Sequence, residues 1–375
     1  MSGATERGQA GALSGGPEPI PGWRSPGLGP SLHGLTTALI RGSKCRESKL
    51  RDELHLNRNS PGSLTVRAGI LCLAALGLAC SSGSQKDVRP LVPAVSSTGS
   101  PTYRPGSFVW FDLLVDDAES IRPFYEGLFG WSFQATDGSG QYLAIQHGGR
   151  VVAGVAVTGE SDADDRGVWL GSVSVIDVDR TSAAAEAAGG SVMLDPRDLP
   201  DRGRYSVIDD PQGAAVVLLR SSTGDGTRRP PEDLQPGHWL WTELWTSDLG
   251  AAREFYSEVL GYGIEFRESR SAEEGASAAP DSGDDGSGYL ILTRDGERKA
   301  GMAQLPFEEA TPHWLPFVAV GDVYASVERV RQLGGEVIVG PDLVGRHDAA
   351  IVVDPSGAVF GLQQWPRPSL NGGDR

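Results

Sequence analysis

One series of motifs occurs twice in this chain of 375 residues, and that repeat limits the fold more than any other feature. Val109-Trp110-Phe111-Asp112-Leu113-Leu114-Val115-Asp116-Asp117 returns as Leu240-Trp241-Thr242-Glu243-Leu244-Trp245-Thr246-Ser247-Asp248. Phe124-Tyr125-Glu126-Gly127-Leu128-Phe129-Gly130-Trp131 returns as Phe255-Tyr256-Ser257-Glu258-Val259-Leu260-Gly261-Tyr262, again 131 residues later. The offset grows to 147 at Tyr142/Tyr289 and settles at 144 at Asp210-Pro211/Asp354-Pro355. An insertion over 269–288, rich in Ser, Ala, Gly, Asp and Glu, accounts for the growth and reads as a mobile acidic loop.

Each copy follows one plan. An alternating strand leads to a helix that Asp117 or Asp248 opens as N-cap and Gly130 or Gly261 ends. Further strands follow. A second strand and helix then run from Trp169 to Gly189-Gly190 and from Trp314 to Gly334-Gly335. Asp-Pro-x-Gly at 210–213 and 354–357 turns each copy into a last apolar strand. The pattern predicts an α+β protein of two tandem domains, each made of two βαβββ modules. Helical spacing assigns Phe124, Tyr125, Phe255 and Tyr256 to the core. Tyr142 and Tyr289 are expected to pack against or rim the sheets.

The order of these motifs resembles the vicinal oxygen chelate superfamily, which includes glyoxalase I, bleomycin-resistance proteins and extradiol dioxygenases. The resemblance covers 104–222 and 236–367. It implies cup-shaped mixed sheets, and in the family's enzymes a divalent metal held in the cup by His, Gln or Glu. Counted back from the capping aspartates, the implied ligand slots fall on Trp110 and Leu170 in the first copy and Trp241 and Leu315 in the second. The carboxylate slots after Asp-Pro-x-Gly fall on Val217 and Gly361. None of the six can ligate a metal, so the expectation is a protein with no metal cofactor. Cysteine ligands and disulfides are excluded from both copies, because Cys45, Cys72 and Cys80 all precede them.

Strand alternation places Asp112 on the face of Trp110 and Glu243 on that of Trp241. His313 and Gln363 lie two residues from Leu315 and Gly361, on the same face as each. Trp110, Asp112, Trp241, Glu243, His313 and Gln363 are therefore the candidate ligand-binding residues. The tryptophans suit a flat or cationic organic ligand, and equally suit an inert filling of a lost metal site. Glu243 and His313 can form an acid–base pair, or serve only structure. Three functions follow from these alternatives. The first is metal-free binding of a small organic molecule in one or both cups, with sequestration or sensing as the role the resemblance implies. The second is a divergent lyase or dioxygenase-type enzyme using Glu243 and His313. The third is a non-catalytic scaffold.

Charge separates the N-terminal portion from the repeats. The whole chain carries −16, yet residues 1–100 hold 11 Lys and Arg against 6 Asp and Glu. The repeats are thus strongly acidic, which excludes non-specific nucleic-acid binding. Residues 1–60 read as disordered or as a mis-assigned start. Within 61–80, Arg67 precedes the apolar run Ala68 to Ala79, too short to span a bilayer. Cys80 and a Ser/Gly stretch follow. The segment resembles a bacterial lipoprotein signal, which implies lipidation of Cys80 and a membrane-anchored protein of the cell envelope; Gly77 stands where leucine is usual. The alternative is a buried helix in a cytoplasmic protein. Residues 81–103 read as a tether, 223–235 as a linker and 368–375 as a tail. The two domains are expected to pair with each other within the chain.

Overall fold

The computed structural model describes residues 92–96, 102–158, 166–226, 233–266, 289–305, 310–342 and 348–366. The acidic insertion, the signal segment with Cys80 and most of the tether lie outside the described residues.

The first copy supplies β1 (Phe108–Val115), α1 (Ala118–Phe129), β2 (Ser132–Ala135), β3 (Tyr142–His147) and β4 (Arg150–Val157). Its second half supplies β5 (Val168–Ser174), α2 (Val178–Ala187), β6 (Ser191–Leu199), β7 (Gly203–Asp209) and β8 (Ala215–Ser221). The second copy repeats the series: β9 (Trp239–Thr246), α3 (Leu249–Leu260), β10 (Gly263–Phe266), β11 (Tyr289–Arg294) and β12 (Glu297–Gln304). It ends with β13 (His313–Val320), α4 (Val323–Gln332), β14 (Glu336–Val339), β15 (Ala349–Val353) and β16 (Val359–Gln364). Local chemistry sets the helix ends. The carboxylates of Asp117, Asp177, Asp248 and Asp322 accept from backbone N–H groups in the first turns. Gly130 and Gly261 close α1 and α3 in the left-handed conformation, at φ 67° and 66°.

Each copy forms one eight-stranded mixed sheet, ordered β2-β3-β4-β1-β5-β8-β7-β6 and β10-β11-β12-β9-β13-β16-β15-β14. The halves join where β1 pairs antiparallel with β5 and β9 with β13. The pleat sorts side chains between two faces. On β1, Phe111, Leu113 and Val115 face the helices, whereas Leu114 belongs to a separate apolar cluster with Tyr142, Leu170, Tyr205 and Val217.

The helical cores are shared between the copies. One joins α1 and β3–β4 of the first copy to β13, α4, β15 and β16 of the second. The other joins β5, α2 and β8 to α3, β11–β12 and Trp314. The expected pairing of the copies within the chain is thus observed. A polar cluster built on a tyrosine and a tryptophan crosses each core. Tyr125 donates its hydroxyl hydrogen to Asp354 at 2.9 Å and accepts from Trp169 Nε1 at 2.8 Å. Tyr256 accepts from Trp314 Nε1 at 2.9 Å and lies near Asp210, whose Oδ2 is buried without a hydrogen-bond partner among the described residues. The Asp-Pro-x-Gly turn of the second copy therefore does more than reverse the chain, because Asp354 receives the first copy's Tyr125. Burial pushes the carboxyls of Asp210 and Asp354 above the ordinary carboxylate range.

Candidate ligand site

The opposite face of each sheet forms the cup, and in both cups a carboxylate on the central strand meets a tyrosine. In cup 1, Asp112 Oδ1 accepts from Trp110 Nε1 at 2.9 Å and from the Tyr142 hydroxyl at 2.5 Å. Burial, with Asp112 adjacent, holds the Tyr142 phenol well above its ordinary pKa, so it remains a donor at neutral pH. In cup 2, Glu243 Oε1 accepts from the Tyr289 hydroxyl at 2.8 Å, and that hydroxyl accepts from Trp241 Nε1 at 3.0 Å. Trp245 Nε1 lies 3.5 Å from Glu243 Oε2. The longer glutamate thus contacts one tryptophan directly and the other through tyrosine.

A glycine on the neighbouring strand makes room for each tyrosine. A Cβ on Gly154 would stand 1.8 Å from the Tyr142 hydroxyl and 2.3 Å from Asp112 Oδ1. A Cβ on Gly301 would stand 2.1 Å from the Tyr289 hydroxyl. The repeated Gly154/Gly301 pair is therefore a requirement of the cups.

The two cups differ in cover. In cup 1, Trp110, Asp112 and Tyr142 are all buried. Arg202 closes over them, its guanidinium 4.0 Å from the Trp110 ring and its Nη2 3.0 Å from the Tyr142 hydroxyl. Val92, from the segment read as tether, is buried in the same apolar cluster as Leu114, Leu170 and Val217. In cup 2, Glu243 is buried, but Trp241, Trp245 and Tyr289 are each only half-buried around it. Leu315, Phe317 and Ile351 form a small apolar floor.

His313 shares this cup face. It stands opposite Trp245 on the neighbouring strand, with ring centroids 5.8 Å apart. Its Nδ1 lies 2.7 Å from the Thr311 carbonyl, which can only accept, so Nδ1 carries the hydrogen. Nε2 is a buried acceptor with no hydrogen-bond partner among the described residues. Burial lowers the pKa below the ordinary histidine value, so the ring is neutral at pH 7. Pro316 does not break the alternation, and β13 runs unbroken from His313 to Val320.

Gln363 does not join this group. Leu315 lies beside Glu243, whereas Ala319 lies beside Gln363, four residues further along β13. At roughly 3.3 Å per residue the two polar side chains stand about 13 Å apart along the strand direction. Gln363 instead contacts Asp348, at 3.4 Å. Arg202 and Trp245 belong to the cups but were not among the sequence candidates. Alternation from Glu243 could have singled out Trp245, whereas nothing local marks Arg202.

The metal slots implied by the resemblance carry apolar side chains or none: Trp110, Leu170 and Val217 in cup 1, and Trp241, Leu315 and Gly361 in cup 2. Among the described residues no group of three or more His, Cys, Asp or Glu could hold a metal ion. These residues do not fit a family-type metal site. A cavity of about 250 Å³ is lined by Phe129, His147, Pro236 and Ala319 among others. His147 Nε2, its most polar wall, is taken by the Pro236 carbonyl at 3.0 Å.

Comparison with known proteins agrees with this architecture. The family profile described as Glyoxalase/Bleomycin resistance protein/Dioxygenase superfamily matches residues 107–218 and 238–362, once per sheet. The anthracycline biosynthesis protein DnrV of Streptomyces peucetius is 31% identical over 275 residues, covering 69% of this chain and 94% of that protein. CFP32 of Mycobacterium tuberculosis is 30% identical over 265 residues, covering 69% of this chain and 95% of that protein. Among solved structures, the Mn(II)-bound glyoxalase from Novosphingobium aromaticivorans aligns at 15% identity with a TM-score of 0.46, over 70% of this chain and 82% of that one. The chain therefore belongs to the glyoxalase/bleomycin resistance protein/dioxygenase superfamily, as a tandem two-domain member.

Proposed function

We propose that the protein binds a flat organic molecule in cup 2, without a metal. The observation that carries this reading is the half-buried trio Trp241, Trp245 and Tyr289 around the buried Glu243 carboxylate. Aromatic faces left partly open beside an acidic group attract a planar ring system, more strongly one that bears a positive charge. The relationship to a protein named for anthracycline biosynthesis supports the same ligand class, since anthracyclines are fused planar rings and carry an amino sugar. Sequestration or sensing is the role assigned here.

The test is a titration of the purified full chain with an anthracycline, read by tryptophan fluorescence and paired with metal analysis. Saturable quenching that persists in EDTA is expected, with Trp241→Ala and Trp245→Ala each weakening binding about tenfold, as a loss of roughly 1.4 kcal/mol of stacking requires. Stoichiometric Zn, Ni, Fe or Mn in the protein, or binding abolished by chelation, would overturn the reading.

A second reading rests on Nε2 of His313. A half-buried neutral imidazole beside a ligand cup can accept a proton from a bound substrate. Turnover that disappears in His313→Ala while ligand affinity is retained would establish an enzyme. We further propose that lipidated Cys80 anchors the protein in the cell envelope. The resemblance of residues 67–84 to a lipoprotein signal supports that placement.

A further inference from the structure

We propose that cup 1 is a binding site for an extended apolar peptide, and that the chain's own Val92–Ser96 segment is its resident, exchangeable ligand. The inference goes beyond the reading of cup 2 and uses none of its residues.

Three observations carry it. Val92 is buried against Leu114, Tyr142, Leu170, Leu194, Leu199, Tyr205 and Val217, side chains that come from both halves of the sheet. It is therefore part of the apolar cluster that lines the cup. The Pro93 carbonyl accepts from Arg202 Nε at 2.9 Å, while the same guanidinium donates to Tyr142 and covers Trp110. Arg202 thus links the strap's acceptor to the Asp112 network, as a site residue links a ligand carbonyl to a fixed charge. Ser96, buried at the other end, donates its backbone N–H to Thr223 Oγ1 at 3.4 Å.

The chemistry defines the ligand class. A peptide with an aliphatic side chain followed by proline suits the cup, because proline brings a carbonyl acceptor without an N–H that would need a buried partner. Val92 and Arg202 cover cup 1, so a small planar ligand should bind once per chain, in cup 2.

The test uses the full chain carrying Val92→Ser, Pro93→Gly and Val95→Ser, with a fluorescently labelled synthetic peptide of residues 90–97 as probe. Anisotropy should show saturable binding to the substituted chain. Binding to the unchanged chain should be at least tenfold weaker, since the resident segment competes at high effective concentration. Adding Arg202→Gln should weaken peptide binding at least tenfold, with circular dichroism showing the fold retained. Equal binding of a scrambled peptide, or equal binding to both chains, would refute the proposal.

If the substituted chain does not fold, a protease site inserted after Thr98 in the otherwise unchanged chain serves instead. After cleavage the N-terminal fragment should co-elute with the body at micromolar concentration and separate on dilution; immediate separation would refute the proposal. Anthracycline binding at cup 2 is read separately through Trp241→Ala, so failure of either proposal leaves the other standing.

Discussion

Replacing Tyr125 by phenylalanine removes one oxygen from the middle of a shared core. The side chain is fully buried, and its hydroxyl both donates to Asp354 Oδ2 at 2.9 Å and accepts from Trp169 Nε1 at 2.8 Å. Loss of a hydrogen bond to a charged group costs about 1.5–3 kcal/mol, and the stranded indole N–H adds about 1–3 kcal/mol. The lower ends apply here. Asp354 Oδ1 keeps Ser356 N at 2.8 Å, Ser356 Oγ at 2.6 Å and Ala358 N at 2.9 Å, so the carboxylate is not stripped of donors. The expected loss is therefore about 3 kcal/mol, or roughly a hundredfold in the folding equilibrium. Urea unfolding followed by circular dichroism and tryptophan fluorescence measures it. The core containing Tyr125 takes residues from both copies, so the whole transition should shift to lower urea with its slope unchanged. A shift below about 0.5 kcal/mol, or a split into two transitions of which one moves, would refute the account of this polar cluster as a clamp between copies.

Tyr256→Phe should cost less, about 1–3 kcal/mol, through the stranded Trp314 indole N–H. Burial raises the folded-state pKa of Asp210 and Asp354, so their contribution to stability is fully present below the unfolded value near pH 4 and is lost as pH rises through the raised folded value. The urea midpoint should accordingly fall with rising pH in that window, and Asp354→Asn should flatten the dependence. Gly154→Ala must displace the Tyr142 hydroxyl and should cost about 1–3 kcal/mol by overpacking, read as a lower melting temperature. Gly301→Ala makes the same clash with Tyr289, and anthracycline titration should show weakened binding at cup 2. Labelled palmitate should enter the full chain expressed in a bacterial host and should be absent from Cys80→Ala.

The repeat made the architecture legible because each signal is local. A capping aspartate, a left-handed glycine and two-residue alternation report on their own turns and strands, and these agree with the helix ends at Gly130 and Gly261. The place of Trp110, Asp112, Trp241 and Glu243 on the cup faces follows from the same alternation. What stayed hidden depends on contacts distant in sequence. Gln363 is on a cup face as counted, yet the parallel register of β16 with β13 carries it away from Glu243. Arg202 comes from the turn before β7, 92 residues after the Trp110 ring it covers. Val92 lies 50 residues before its cup partner Tyr142, in a stretch whose composition suggested a spacer alone.

The exchange of halves in the two helical cores changes what counts as a self-sufficient piece of this molecule. Severing the chain between the sheets would not release two finished domains. Each fragment would expose two apolar walls whose natural covers stayed on the other fragment. Two copies of either fragment could cover those walls by closing around a twofold axis. The covalent join therefore supplies within one polypeptide the cover that each fragment would lack, and it lets the two cups differ: Val92 and Arg202 cover cup 1, while the aromatic side chains of cup 2 are half-buried.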